Sequence, residues 1–195
     1  EHLRRVVTHG LGLQKIYGGD SEVITAAAIL HDLGRTNRQL RGKESALESV
    51  RLARPLLEQE GFSLEKTDFI CQVIAEHDQP EARPATLEGR ILKDADFLDG
   101  FGARGILRSL LWAGERGEAV SQVIERLKVK MPARIKGLEF PESRKMAERQ
   151  YRFVELFLSF LEQPPMLETE PVAGKYIVFE GISGTGKETQ ARKLE

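Results

Sequence analysis

A single cysteine, Cys71, cannot close an internal disulfide or supply a zinc cluster, so a reducing cytoplasm is the expected setting. Long apolar runs are also missing. Nothing approaches the roughly 20 residues of a spanning helix, and the N-terminus lacks the basic flank, apolar run and small-residue cleavage site of a secretory leader. Charge of one sign is absent too. Lys and Arg number 29 against 30 Asp and Glu, a net charge of −1, which removes any global attraction to membranes or nucleic acid. A ligand must therefore be captured by a local site. Strand signals do not occur before residue 175, which excludes a sheet for most of the chain.

What is present is helical spacing, on 195 residues of which 41% are apolar and 30% charged, enough for one core or for one domain plus a fragment. Leu3, Val6, Val7 and Leu13 predict a first helix ending near Gly18-Gly19, with Asp20 or Ser21 capping a second through Val23, Ala27, Leu30 and Leu33. A third fits Ala46 to Glu60, stopped by Gly61, and Pro55 predicts a kink or a new start inside it. Further helices are expected over Leu64 to Glu76, Leu87 to Leu98, Ala103 to Ala113 and Glu118 to Lys130. After Pro141 a long last helix carries Tyr151, Val154, Leu158 and Leu161, with Phe153, Phe157 and Phe160 widening the stripe, so burial on more than one side is expected. Gln163-Pro164-Pro165 ends it, and residues 164–174 read as a linker. Glu in place of Met at position 1, and a last segment that stops just after a motif has begun, suggest a piece of a longer protein.

All four histidines, His2, His9, His31 and His77, fall in the first 77 residues. The pair His31-Asp32 sits between apolar Ile29-Leu30 and Leu33. An aspartate beside an apolar face needs a partner or a cation, and imidazoles with carboxylates suit a first-row divalent metal. Asp94, Asp96 and Asp99 offer more carboxylates late in the chain, and spacing does not choose among them. His9 reads as an ordinary helix residue, one that could at most support His2.

His2-x-x-Arg5-Val6, Ala28-Ile29-Leu30-His31-Asp32-Leu33-Gly34 and Lys93-Asp94-Ala95-Asp96-Phe97-Leu98-Asp99, in that order, resemble the HD superfamily. The resemblance implies an all-α helical bundle over residues 1–163 and a metal-dependent phosphohydrolase. Its ligand set falls on His2, His31, Asp32 and Asp96, for Mn, Mg, Fe, Co or Ni. A metal so held would lower the pKa of a water and polarise a phosphoryl oxygen. Asp32 and Asp96 are catalytic by this reading, with Asp96 or a neighbouring carboxylate managing the proton. His77 stands where relatives place a histidine for a second metal or for phosphate. Gly42-Lys43-Glu44-Ser45 lacks the histidine that two-metal relatives carry, so one metal is favoured. Arg35, Arg38 and Lys93 are candidates for neutralising the phosphate.

Lys175 to Glu180 reads as a strand, followed by Gly181-Ile182-Ser183-Gly184-Thr185-Gly186-Lys187. Such a loop wraps phosphates with backbone N–H groups, while Lys187 bridges the terminal ones. Glu188 occupies the usual Ser/Thr position, with Thr189 one step later. The string resembles the start of thymidylate kinase, which implies ATP at Gly181, Gly184, Gly186, Lys187 and Thr189 in an intact kinase. Residues 175–195 are only the truncated beginning of such a domain, one strand and half a helix. The leading function is hydrolysis of a small phosphate ester, a nucleotide by the kinase association. The alternative is a non-catalytic metal- or nucleotide-binding module that regulates an attached kinase. Membrane and nucleic acid are not expected partners.

Overall fold

The computed structural model describes residues 1–37, 40, 42–77 and 83–162, and all regular structure among them is helical. Arg38 and the whole segment 163–195, with Gly181, Gly184, Gly186, Lys187 and Thr189, lie outside the described residues. Helix α1 covers His2–Tyr17, and it gives way to Gly18 and Gly19, whose positive φ of 84° and 94° would strain other residues. The Asp20 carboxylate then accepts from the backbone N–H of Glu22 and Val23 (2.8 and 3.2 Å), starting α2, Ser21–Leu30. A 3-10 turn, Leu33–Thr36, follows the His31-Asp32 pair.

Helices α3 (Gly42–Gln59) and α4 (Leu64–His77) pack on one another. Pro55 neither divides α3 nor starts a new helix. Near the helix end it removes only one backbone donor, while Ala53 and Leu57 on either side are held in the same core. Helix α5, Leu87–Leu98, begins at Thr86, whose hydroxyl accepts from Gly89 N–H at 3.0 Å. The same hydroxyl donates to Glu76 on α4 at 2.8 Å, tying the start of α5 to the end of α4. Helix α1 packs against both α2 and α5. At Gly10 the approach is so close that a Cβ would lie 2.9 Å from Ile24 Cγ2.

Beyond α5 come α6 (Gly102–Arg116), α7 (Val120–Glu125), a π turn over Arg126–Lys130, α8 (Met131–Lys136) and α9 (Pro141–Glu162). Leu98, Leu127, Val154 and Leu158 belong to the cluster these helices enclose, separate from that of Val6, Ala27, Ile74 and Leu92. Helix α9 is buried on one side only. Ala147, Val154 and Leu158 are covered, whereas Phe153 and Phe160 are 50% and 65% exposed. The expected burial of the extra aromatics fails because the single stripe at helical spacing already fills the contact with α6 and α8. Asp94 joins the two groups of helices. Its carboxylate, fully buried on α5, accepts from Glu139 N–H (2.9 and 3.1 Å) and Phe140 N–H (3.0 Å) just before α9.

Candidate metal centre

Four elements converge on one small volume. Helix α1 brings His2, the end of α2 brings His31, the turn after it brings Asp32, and the last turn of α5 brings Asp96. The turn is pinned by Gly34. Its N–H donates to Ser49 Oγ at 2.8 Å, and a Cβ there would lie 2.1 Å from Ser45 O on α3, so only glycine lets the loop sit this close. Asp32 is thereby held two residues upstream of a fixed point.

The imidazoles are tethered from behind. His31 Nδ1 lies 2.9 Å from Ala28 O and His77 Nδ1 lies 2.6 Å from Ile74 O. A carbonyl oxygen only accepts, so both Nδ1 atoms carry hydrogen. His2 Nδ1 lies 2.8 Å from a carboxylate oxygen, Asp99 Oδ2. Nε2 of His2 stands 3.6 Å from Asp32 Oδ2 and 3.4 Å from Asp96 Oδ1. Nε2 of His31 stands 3.5 Å from Asp32 Oδ1 and 3.7 Å from Asp96 Oδ1. Both Nε2 atoms are buried and hydrogen-bond to nothing among the described residues.

Buried nitrogens facing carboxylates at 3.4 to 3.7 Å, too long for hydrogen bonds, are spaced for a shared ion. Two ligands about 2.1 Å from a tetrahedral ion lie roughly 3.4 Å apart. His2, His31 and Asp96 each place a donor atom within 4.8 Å of the others, as do His31, Asp32 and His77. The donor set therefore fits a divalent metal, and the two groups share His31.

Electrostatics make the same demand. The nearby Asp32 carboxylate, then that of Asp96, pushes His2 up to about 10. Burial opposes charge on His31, but Asp96 outweighs it and the net shift is upward. Burial also opposes the charged form of Asp96, yet His2 and His31 carry its pKa well below the ordinary carboxylate range. Asp32 is lowered likewise: burial opposes its charge, and His2, His31 and Arg35 together outweigh it. The pocket attracts positive charge, and protons supply it when a metal does not.

Other residues are placed as follows. The His77 ring stands edge-on to His31 with centroids 5.0 Å apart. Arg35 Nε lies 2.6 Å from Asp32 Oδ1, and its side chain is 45% exposed. Lys93 is buried and faces Glu139 at 3.6 Å rather than the imidazoles. The two aspartates that flank Asp96 part company. Asp94 turns to the backbone before α9, and Asp99 turns to His2 and Arg5. Neither is the solvated helix-end charge that their position suggests. Sequence reasoning counted Asp99 among the late carboxylates but missed its pairing with His2 and Arg5, although it lies three residues after Asp96 and Arg5 three after His2, both on shared helix faces.

The helical bundle thus brings two histidines and two aspartates to one position. The HD domain model matches residues 1–100, which contain all these groups, and the chain belongs to that family. It is similar to YpgQ of Bacillus subtilis, an uncharacterized protein, at 24% identity over 176 residues, 83% of this chain and 82% of that one. The crystal structure of Bacillus subtilis YpgQ in complex with ADP aligns with a TM-score of 0.69 at 25% identity, covering 83% of each chain. A predicted HD superfamily hydrolase from an uncultured Thermotogales bacterium aligns at 27% identity and a TM-score of 0.59, over 82% of this chain and 77% of the other.

Proposed function

We propose that the chain hydrolyses a small phosphate ester, a nucleotide in the first instance, with His2, His31, Asp32 and Asp96 holding a divalent metal. The observation that carries this reading is the pair of buried Nε2 atoms on His2 and His31, without hydrogen bonds and facing two ionised carboxylates. A divalent ion at such a site polarises a phosphoryl oxygen and makes water acidic enough to attack near neutral pH. Asp32 and Asp96 remain ionised, so they neutralise a cation and can accept a proton at a free oxygen. His77, tethered through Nδ1, is the group we assign to phosphate contact or to moving a proton at Nε2. Arg35 is exposed enough to reach a phosphate from Asp32. Lys93 is a weaker candidate, because Glu139 already opposes its charge. Nucleotide as substrate class is supported by the ADP in the YpgQ structure and by the resemblance of the sequence Gly181 to Lys187 to a phosphate-binding loop.

Phosphate release from nucleoside mono-, di- and triphosphates, with Mn or Mg, tests the proposal against Asp32→Ala. Turnover is expected in the wild type. Losing a ligand should cost more than the 10- to 100-fold typical of a residue that merely supports one, so a loss above about 100-fold is predicted. Metal binding without any turnover would instead support the regulatory module and overturn the enzyme reading.

A further inference from the structure

Asp99 sits at the end of α5 with a side chain shut off completely from solvent. A buried carboxylate at a helix C-terminus is unfavourable on two counts, desolvation and the helix dipole, so its retention there requires strong partners. It has them on two other helices, α1 and α6. His2 Nδ1 lies 2.8 Å from Oδ2. Arg5 grips both oxygens, through Nε at 2.5 Å and a terminal nitrogen at 3.1 Å, and Arg108 of α6 reaches Oδ2 at 3.5 Å.

We propose that Asp99 is the positioning residue of His2: it accepts from Nδ1 and so fixes the ring with Nε2 toward Asp32 and Asp96, while the Arg5 fork fixes Asp99. Resting on the metal reading above, the inference adds a reason for the order of residues on two helices. His2 and Arg5 share one face of α1, and Asp96 and Asp99 share one face of α5. One pair meets at the candidate metal position and the other lies directly behind it. An imidazole whose Nδ1–H is held by a carboxylate offers Nε2 as a lone pair and is the more basic ligand for it. His31 has only a backbone carbonyl in that place.

The test combines two readouts on the full chain. The first is the long-range ¹H–¹⁵N spectrum of the histidine rings. The wild type should show a hydrogen-bonded, slowly exchanging His2 Nδ1–H. That signal should be lost in Asp99→Ala and shifted upfield in Asp99→Asn, with His31 and His77 unchanged. An unmoved His2 signal in both variants overturns the proposal, whatever the metal affinity. The second is Mn²⁺ titration of wild type, Asp99→Asn, His2→Gln and the double variant, with Asp32→Ala as reference. Asp99→Asn should weaken binding 10- to 100-fold, as loss of an outer partner does, and should cost nothing further in the His2→Gln background. A purely structural Asp99 would instead add its full loss in that background, and that result also overturns the proposal. If the wild type binds Mn²⁺ no better than Asp32→Ala, the metal reading fails, a result separate from the His2 spectrum.

Discussion

The two groups of helices bury different things. Around α1 to α5, His31, His77, Lys93, Asp94 and Asp99 are enclosed along with the hydrocarbon core, whereas around α6 to α9 Ser143 is the buried polar residue among those described. The outward faces do not differ in this way. Leu107, Leu111, Phe153 and Phe160 stand more than half exposed or at half exposure on α6 and α9, and Ile16, Leu47 and Leu64 of the first group are also more than half exposed. Burying a charge is costly unless something opposes it, and in the first group each buried aspartate is opposed. Asp99 has Arg5 and His2, and Asp94 has two backbone donors. The first group concentrates charge around one position, and the second is carbon packed on carbon. They are joined by polar hooks, Asp94 to the segment before α9 and Arg108 to Asp99.

If that division is real, damage to the second group should lower stability and leave the site alone. Leu127, 1% exposed in the α6–α9 core, is the place to try it. Leu127→Ala should cost about 2–5 kcal/mol in urea denaturation, from lost transfer energy and the cavity left behind. Metal affinity of the folded fraction should stay within about twofold, since distant sites without shared partners act independently. A parallel tenfold loss of affinity would show that the two groups are one mechanical unit.

A smaller effect isolates the charge in the first group. With metal removed, His2 is raised to about 10 by Asp32, then Asp96. Its ordinary value is about 6.5, so folding takes up a proton between those limits. The stabilisation is full below about pH 6.5 and is lost as pH rises toward about 10. The metal-free chain should therefore melt a few degrees lower at pH 9.5 than at pH 6.5, and His2→Gln should show less of that fall. Saturating metal should reverse the trend for the wild type, because protons and metal compete for Nε2. Equal slopes for wild type and His2→Gln would remove His2 from the charge balance.

How far these features could be read from sequence depends on range. Helix limits were legible where a local device sets them, as at Asp20 before α2 or Gly18-Gly19 after α1. The His31-Asp32 pair was legible because charge inside an apolar run is anomalous within a few residues. Asp99 was not, since its partners lie 94 and 97 residues away and no spacing encodes such a pairing. Three aspartates within six residues looked interchangeable, and tertiary packing sent each in a different direction. The new helix start expected at Pro55 does not occur, for a different reason. A proline penalty is local, and packing on both sides of it outweighed the one missing hydrogen bond.

The aromatic face of α9 gives the smallest and sharpest contrast. Periodicity marks Phe153, Phe157 and Phe160 as one broad apolar band, and a band does not say which part meets a neighbour. Phe157 is partly covered by the second core, while Phe160 stands 65% exposed beside buried Leu158. Phe160→Ser should change the stability of the full chain by less than about 0.5 kcal/mol, as exposed substitutions usually do. Truncating a buried phenylalanine would cost about 3–5 kcal/mol, so the two placements are separated by far more than the error of a denaturation curve. A loss of that size would return Phe160 to the core and show that the carbon-only group of helices is larger than α6 to α9 alone make it.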